Sequence, residues 1–95
     1  MDVKEAMSKL SGLKADEIAT FLVEQGVRGE FGSAHRCAIA NYIRKTTGEN
    51  SVSVTDFVTI WQDARAVLYK EAIPLNVFEF IDRFDDGDYP ELEES

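Results

Sequence analysis

Val52-Ser-Val-Thr-Asp-Phe-Val-Thr-Ile-Trp61, the tetrapeptide Gln62-Asp-Ala-Arg65 and Ala66-Val-Leu-Tyr-Lys-Glu-Ala-Ile73 together decide the fold. Read as two strands around a turn at Gln62–Arg65, they form an antiparallel β-hairpin. Read as one helix from an N-cap at Thr55, they remove the sheet altogether, because Phe57, Ile60, Trp61, Ala64 and Leu68 also fit a helical face. The density of β-branched and aromatic residues from Val52 to Trp61 favours strand. The expected fold class is therefore α+β: a small helical domain, with three helical segments before the hairpin and one after it.

Before this stretch, Val3, Ala6, Met7 and Leu10 follow helical spacing and predict a first helix over 2–10, broken by Ser11-Gly12. Ile18, Ala19, Phe21 and Leu22 predict a second over 15–25, with Asp16 and Glu17 in its first turn, where the helix dipole favours acids. Gly26, Gly29 and Gly32 then recur every third residue, which suits a loop needing positive φ or close backbone approach. Ser33 is placed to cap a third helix over 34–46, stopped by Gly48. Small residues at Ala34, Cys37, Ala38 and Asn41 would let a neighbour come near one face of it. After the hairpin, Pro74 opens a fourth helix with Val77, Phe78, Ile81 and Phe84 as its apolar stripe. Phe80 lies outside that stripe and either widens it or joins an exposed apolar patch. Beyond Asp85 the chain is acidic and turn-rich; an ordered Tyr89-Pro90 turn and a partly frayed tail within 86–95 are expected.

The 95 residues make one domain with a modest core, and the single cysteine excludes an intrachain disulfide or a four-cysteine zinc site. The amino-terminal sequence resembles no secretory signal and no run is long enough to span a bilayer, so a cytoplasmic protein is expected. Charge is uneven: residues 1–25 carry three Lys against five acids, 26–48 four Lys/Arg against one, and 49–95 three against twelve, within a net charge of −8. Such a balance opposes direct nucleic-acid or membrane contact and favours a protein partner with a basic or mixed surface.

The glycine loop, running into a helix start beside Arg28, Ser33, His35 and Arg36, is a candidate anion site, because free N–H groups and the helix dipole would point the same way. Its spacing matches neither a dinucleotide nor a phosphate-loop fingerprint. His35 and Cys37, two apart on one helix, point in separated directions and make a poor base and nucleophile. Asp82, Asp86, Gly87 and Glu93 fall at calcium-loop positions, but Phe84 and Pro90 occupy two others, and a solvated acidic tail is the better reading. No cofactor or metal is implied.

Two stretches, Gly26-Val-Arg-Gly leading to Cys37-Ala-Ile-Ala-Asn-Tyr-Ile43 and Pro74 through Phe80-Ile-Asp-Arg-Phe-Asp-Asp-Gly-Asp-Tyr-Pro-Glu-Leu92, resemble a pattern in small uncharacterised proteins of actinobacteria and their phages. Ala38 departs from the proline that often follows the cysteine in that group. The resemblance implies bacterial or phage origin and an intracellular place, and transfers no site residue. The expected function is a non-enzymatic interaction module that contacts another protein through exposed aromatics such as Phe31, Trp61 or Phe80 and through Asp85, Asp86 and Asp88. A nucleic-acid-mimicking inhibitor and a small-anion binder at the glycine loop are the alternatives.

Overall fold

The structure is a computed structural model and describes residues 2–30, 32–49, 51–55, 58–62 and 65–93. Helix α1 (Val3–Ser11) is capped by Asp2, whose carboxylate accepts from Glu5 N–H at 2.9 Å. It buries the predicted Val3, Ala6, Met7 and Leu10. In α2 (Ala15–Glu24) Glu17 reaches back to accept the Lys14 N–H at 2.9 Å, satisfying a donor that the first turn leaves open. Gly26, with φ of 70°, turns the chain out of it.

Helix α3 (Ala38–Thr47) starts four residues later than its composition predicts. The Ser33 hydroxyl caps only a turn, accepting from Arg36 N–H at 3.1 Å. The carbonyls of Ala34 and Arg36 are claimed from outside, by Val54 N–H and Glu30 N–H, so they cannot start an α-helical ladder. Cys37 is the N-cap instead; its sulfur accepts from Ala40 N–H at 3.4 Å. The close approach expected of the small residues occurs here. Gly29 packs so tightly that a Cβ on it would lie 2.2 Å from Ala38 N.

The segment 51–72 is sheet, and the helical alternative is excluded, but the expected hairpin is a three-stranded meander: β1 (Ser51–Val54), β2 (Val58–Gln62) and β3 (Leu68–Ala72), in the order β1-β2-β3. An unbroken strand would put Val52 and Trp61 on opposite faces, since their numbers differ in parity. Reversing the chain after Thr55 pairs Val52 with Trp61 and Val54 with Thr59, bringing all four to one buried face. The return strand begins at Leu68 rather than Ala66, because Ala66 has a φ of 64°, outside the range of a strand.

Helix α4 (Leu75–Asp85) buries Val77, Ile81 and Phe84 as expected, and Phe80 as well. Phe80 is not part of an exposed patch: it is 1% exposed, between Phe84 and Tyr89 with ring centroids 5.9 and 5.2 Å away. The chain turns back after Gly87, Tyr89 donates its hydroxyl to Asp16 at 2.8 Å, and a 3-10 turn (Pro90–Leu92) buries Leu92. Gly29 N–H then bonds the Leu92 carbonyl at 2.8 Å. The tail expected to fray is therefore packed through Leu92; Glu94 and Ser95 lie outside the described residues. Among the described residues no helix is long and apolar enough to cross a membrane.

Candidate functional site

The connection 28–36 and the last turn of α3 meet the sheet along its β1 edge, and Asn41 joins them. Its side-chain amide donates to the Arg28 carbonyl at 2.7 Å and the Arg36 carbonyl at 3.1 Å, while its oxygen accepts from Arg44 Nη2. Arg44 Nη1 donates to the Val52 carbonyl at 3.1 Å. One helical side chain thus holds the loop, and the next arginine along holds the strand. Between them lies a cleft of about 670 Å³ lined by His35, Arg36, Asn41 and Arg44 on one side, and Ser51–Ser53, Ile60–Gln62 and Leu68 on the other.

Among the described residues the lining carries two arginines and a histidine and no carboxylate, in a chain whose net charge is −8. Arg36 stands at the rim, exposed, 3.8 Å from the Glu30 carboxylate. Arg44 is half-buried, and its two hydrogen bonds, to a carbonyl and an amide oxygen, use two of the five N–H groups of a guanidinium. Among the described residues no carboxylate neutralises it. A partly desolvated cation without a counter-ion is unfavourable on its own and is relieved when an anion enters. Trp61, 8% exposed, borders the cleft with its ring stacked on Tyr69, centroids 5.3 Å apart and planes 11° apart, and the apolar side of the cleft comes from Ile60 and the exposed Leu68.

The predicted site residues are dealt out differently. His35, Arg36 and Trp61 come together in this cleft; Trp61 is largely buried, not a free surface aromatic. Arg28 contributes only its carbonyl, to Asn41. Ser33 faces a smaller hollow of about 230 Å³ shared with Cys37, Val54 and Asp85. The loop is not the open nest of N–H donors expected of an anion site. Gly29, Glu30, Gly32 and Arg36 donate to Leu92 O, Arg36 O, Asp85 Oδ1 and Ser33 Oγ respectively. Asp85 is held on Gly32 at 2.8 Å, while Asp86, the C-cap of α4, and Asp88 are exposed beyond it. Phe80 is core, and Phe31 lies outside the described residues.

Burial pushes the Cys37 thiol up, which favours its protonated form, and its sulfur caps α3. Among the described residues no cluster of His, Cys, Asp and Glu is able to hold a metal ion.

No family model, characterised protein or solved structure matches the chain. Function is accordingly drawn from the chemistry of the cleft. The two residues that sequence reasoning passed over, Asn41 and Arg44, sit on a helix whose composition reads simply as helix-forming, and only the return of β1 beside it makes them a site.

Proposed function

We propose that the protein is a non-enzymatic interaction module whose cleft receives a carboxylate presented by another protein. The half-buried Arg44, with no carboxylate among the described residues beside it or lining the cleft it faces, carries this reading. The overall charge of −8 sets the size of the ligand. A polyanion such as DNA would be repelled by the rest of the surface, whereas one or two carboxylates beside an apolar residue satisfy Arg44 and the exposed Leu68 together. The partner surface is of mixed charge: acidic where it enters the cleft, and basic where it meets the exposed Asp82, Asp86 and Asp88 of the carboxy-terminal half. Mimicry of nucleic acid has less support, because Arg83 interrupts that acidic run and Asp85 is bonded to Gly32.

Trp61 is the sole tryptophan and lines the cleft, so its fluorescence reports occupancy. Titration with the capped tetrapeptide Val-Asp-Leu-Asp is expected to change the emission saturably. Arg44→Gln keeps a donor for the Val52 carbonyl but removes the charge, and should weaken binding by about tenfold, the effect of roughly 1.4 kcal/mol. Arg36→Gln should weaken it less, because Arg36 is exposed and already beside Glu30. An Arg44→Gln protein that binds as tightly as the parent sinks the reading.

A further inference from the structure

The sheet has one protected edge and one open edge. On the β1 side, Val54 N–H donates to the Ala34 carbonyl and the Val52 carbonyl accepts from Arg44, so these backbone groups point away from β2. Alternation along the antiparallel ladders then turns Ser51 and Ser53 toward β2, Thr59 and Trp61 toward β3, and Tyr69 and Glu71 back toward β2. The backbone groups of Leu68, Lys70 and Ala72 are left on the outer edge, and among the described residues no bond to them is made there. Beside this edge Leu68 is 69% exposed, and Leu68 also lines the cleft.

A second copy fits this edge badly. The only antiparallel self-pairing that uses all five residues of β3 sets Lys70 against Lys70, and like charges directly opposite one another oppose pairing. A strand carrying a carboxylate opposite Lys70 has no such conflict.

Resting on the function proposed above, we infer that the acidic partner segment binds as a fourth strand, antiparallel to β3, with a carboxylate opposite Lys70. It runs from Ala72 toward Leu68 and then crosses into the cleft. Strands are about 4.8 Å apart, so the added strand lies roughly 14 Å from β1, the strand that Arg44 holds, and about four further extended residues cover that distance. Backbone hydrogen bonds to Leu68, Lys70 and Ala72 provide the hold along the edge. The Lys70 and Arg44 charges select acidic residues at two points of the sequence.

Two probes separate this inference from the cleft itself: the capped tetrapeptide Val-Asp-Leu-Asp, and a capped decapeptide, Thr-Val-Glu-Val-Thr-Gly-Val-Asp-Leu-Asp, that adds an edge-pairing half. The decapeptide is expected to bind at least tenfold tighter than the tetrapeptide and to protect the amides of Leu68, Lys70 and Ala72 from hydrogen exchange. Lys70→Pro removes only an outward N–H, a substitution edge strands tolerate, and should bring the decapeptide down to the tetrapeptide's affinity while leaving the tetrapeptide unaffected. Should the proline variant not fold, Lys70→Glu keeps the N–H and is expected to weaken the decapeptide alone. A decapeptide no tighter than the tetrapeptide, or one that binds Lys70→Pro and Lys70→Glu as well as the parent, overturns the added strand and leaves the cleft intact. Loss of both probes in Arg44→Gln with no effect of Lys70 has the same meaning. A concentration-dependent dimer abolished by Lys70→Pro would give the edge to a second copy instead.

Discussion

Gly29 and Gly32 belong to the same glycine-spaced loop but are required for different reasons, and their alanine variants should separate. Gly32 has a φ of 75° with open space around it, so a methyl group there meets only the backbone strain of the left-handed region, about 1–2 kcal/mol. At Gly29 the added Cβ would lie 2.2 Å from Ala38 N and 2.4 Å from the Cys37 carbonyl carbon, and backbone cannot move aside as a flexible side chain does. Gly29→Ala is expected to lose on the order of 3 kcal/mol or more, as overpacking at its worst does. Urea unfolding checks the pair: a small drop in midpoint for Gly32→Ala, and loss of most of the folded baseline for Gly29→Ala. Equal losses would remove the close approach as the reason for Gly29. The spacing of the glycines was visible in the sequence, but which one answers to φ and which to approach was not. That depends on α3 starting at Ala38 behind a Cys37 cap, an unusual capping residue that residue type does not announce.

Among the elements, α1, α2 and α4 were legible because each carries its own apolar stripe and a stop beside it, whereas α3 and the sheet answer to partners distant in sequence. Ala34–Arg36 has helix-forming residues but gives its carbonyls to β1 and to Glu30. Val52–Trp61 is dense in strand-forming residues, and Asp56, with no glycine or proline beside it, is the one weak local mark of where it folds over. Phe80 looked surplus on α4 because the ring that covers it, Tyr89, arrives by a turn beyond the helix. The site was legible to the same degree: His35, Arg36 and Trp61 were marked by residue type, while Arg44 and Asn41 needed the strand. Long-range caps of this kind carry measurable stability. Asn76, in the first turn of α4, donates to the carbonyls of Leu10 at 2.7 Å and Leu13 at 2.6 Å and so closes the end of α1 and the turn into α2. Asn76→Ala strands the part-buried Leu13 carbonyl, leaves that of Leu10 with backbone donors alone, and should lose about 1–3 kcal/mol. For a domain of this size that is roughly 4–8 °C of Tm for each kcal/mol, readable by calorimetry. A loss below a few tenths of a kcal/mol would mean that water replaces the amide.

At the scale of the whole molecule, burial and charge act in the same direction at alkaline pH. Desolvation raises the Tyr42 hydroxyl above its usual value, and desolvation followed by the hydrogen bond to Asp16 raises that of Tyr89. The folded state therefore keeps protons that the unfolded chain releases near pH 10, the ordinary tyrosine value. Where the native state binds more protons, stability falls as pH rises, so this contribution is whole below about pH 10 and is lost as the pH climbs through the raised values. The charge of −8 at neutral pH grows more negative over the same range as tyrosines and lysines deprotonate, and self-repulsion adds to the loss. Unfolding free energy is expected to stay level to about pH 8, to begin falling as the pH passes the ordinary thiol value because buried Cys37 also keeps its proton, and to fall further above pH 10, less steeply in 0.5 M salt, which screens the repulsion but not the burial. Tyr42→Phe removes one of the two raised tyrosine titrations together with the 2.9 Å bond to the Ala6 carbonyl. It should lower the neutral-pH plateau by about 1 kcal/mol and make the alkaline fall shallower. Urea unfolding from pH 7 to 11 at two salt concentrations measures both effects; an alkaline slope identical in parent and variant would remove Tyr42 from the account of the fall.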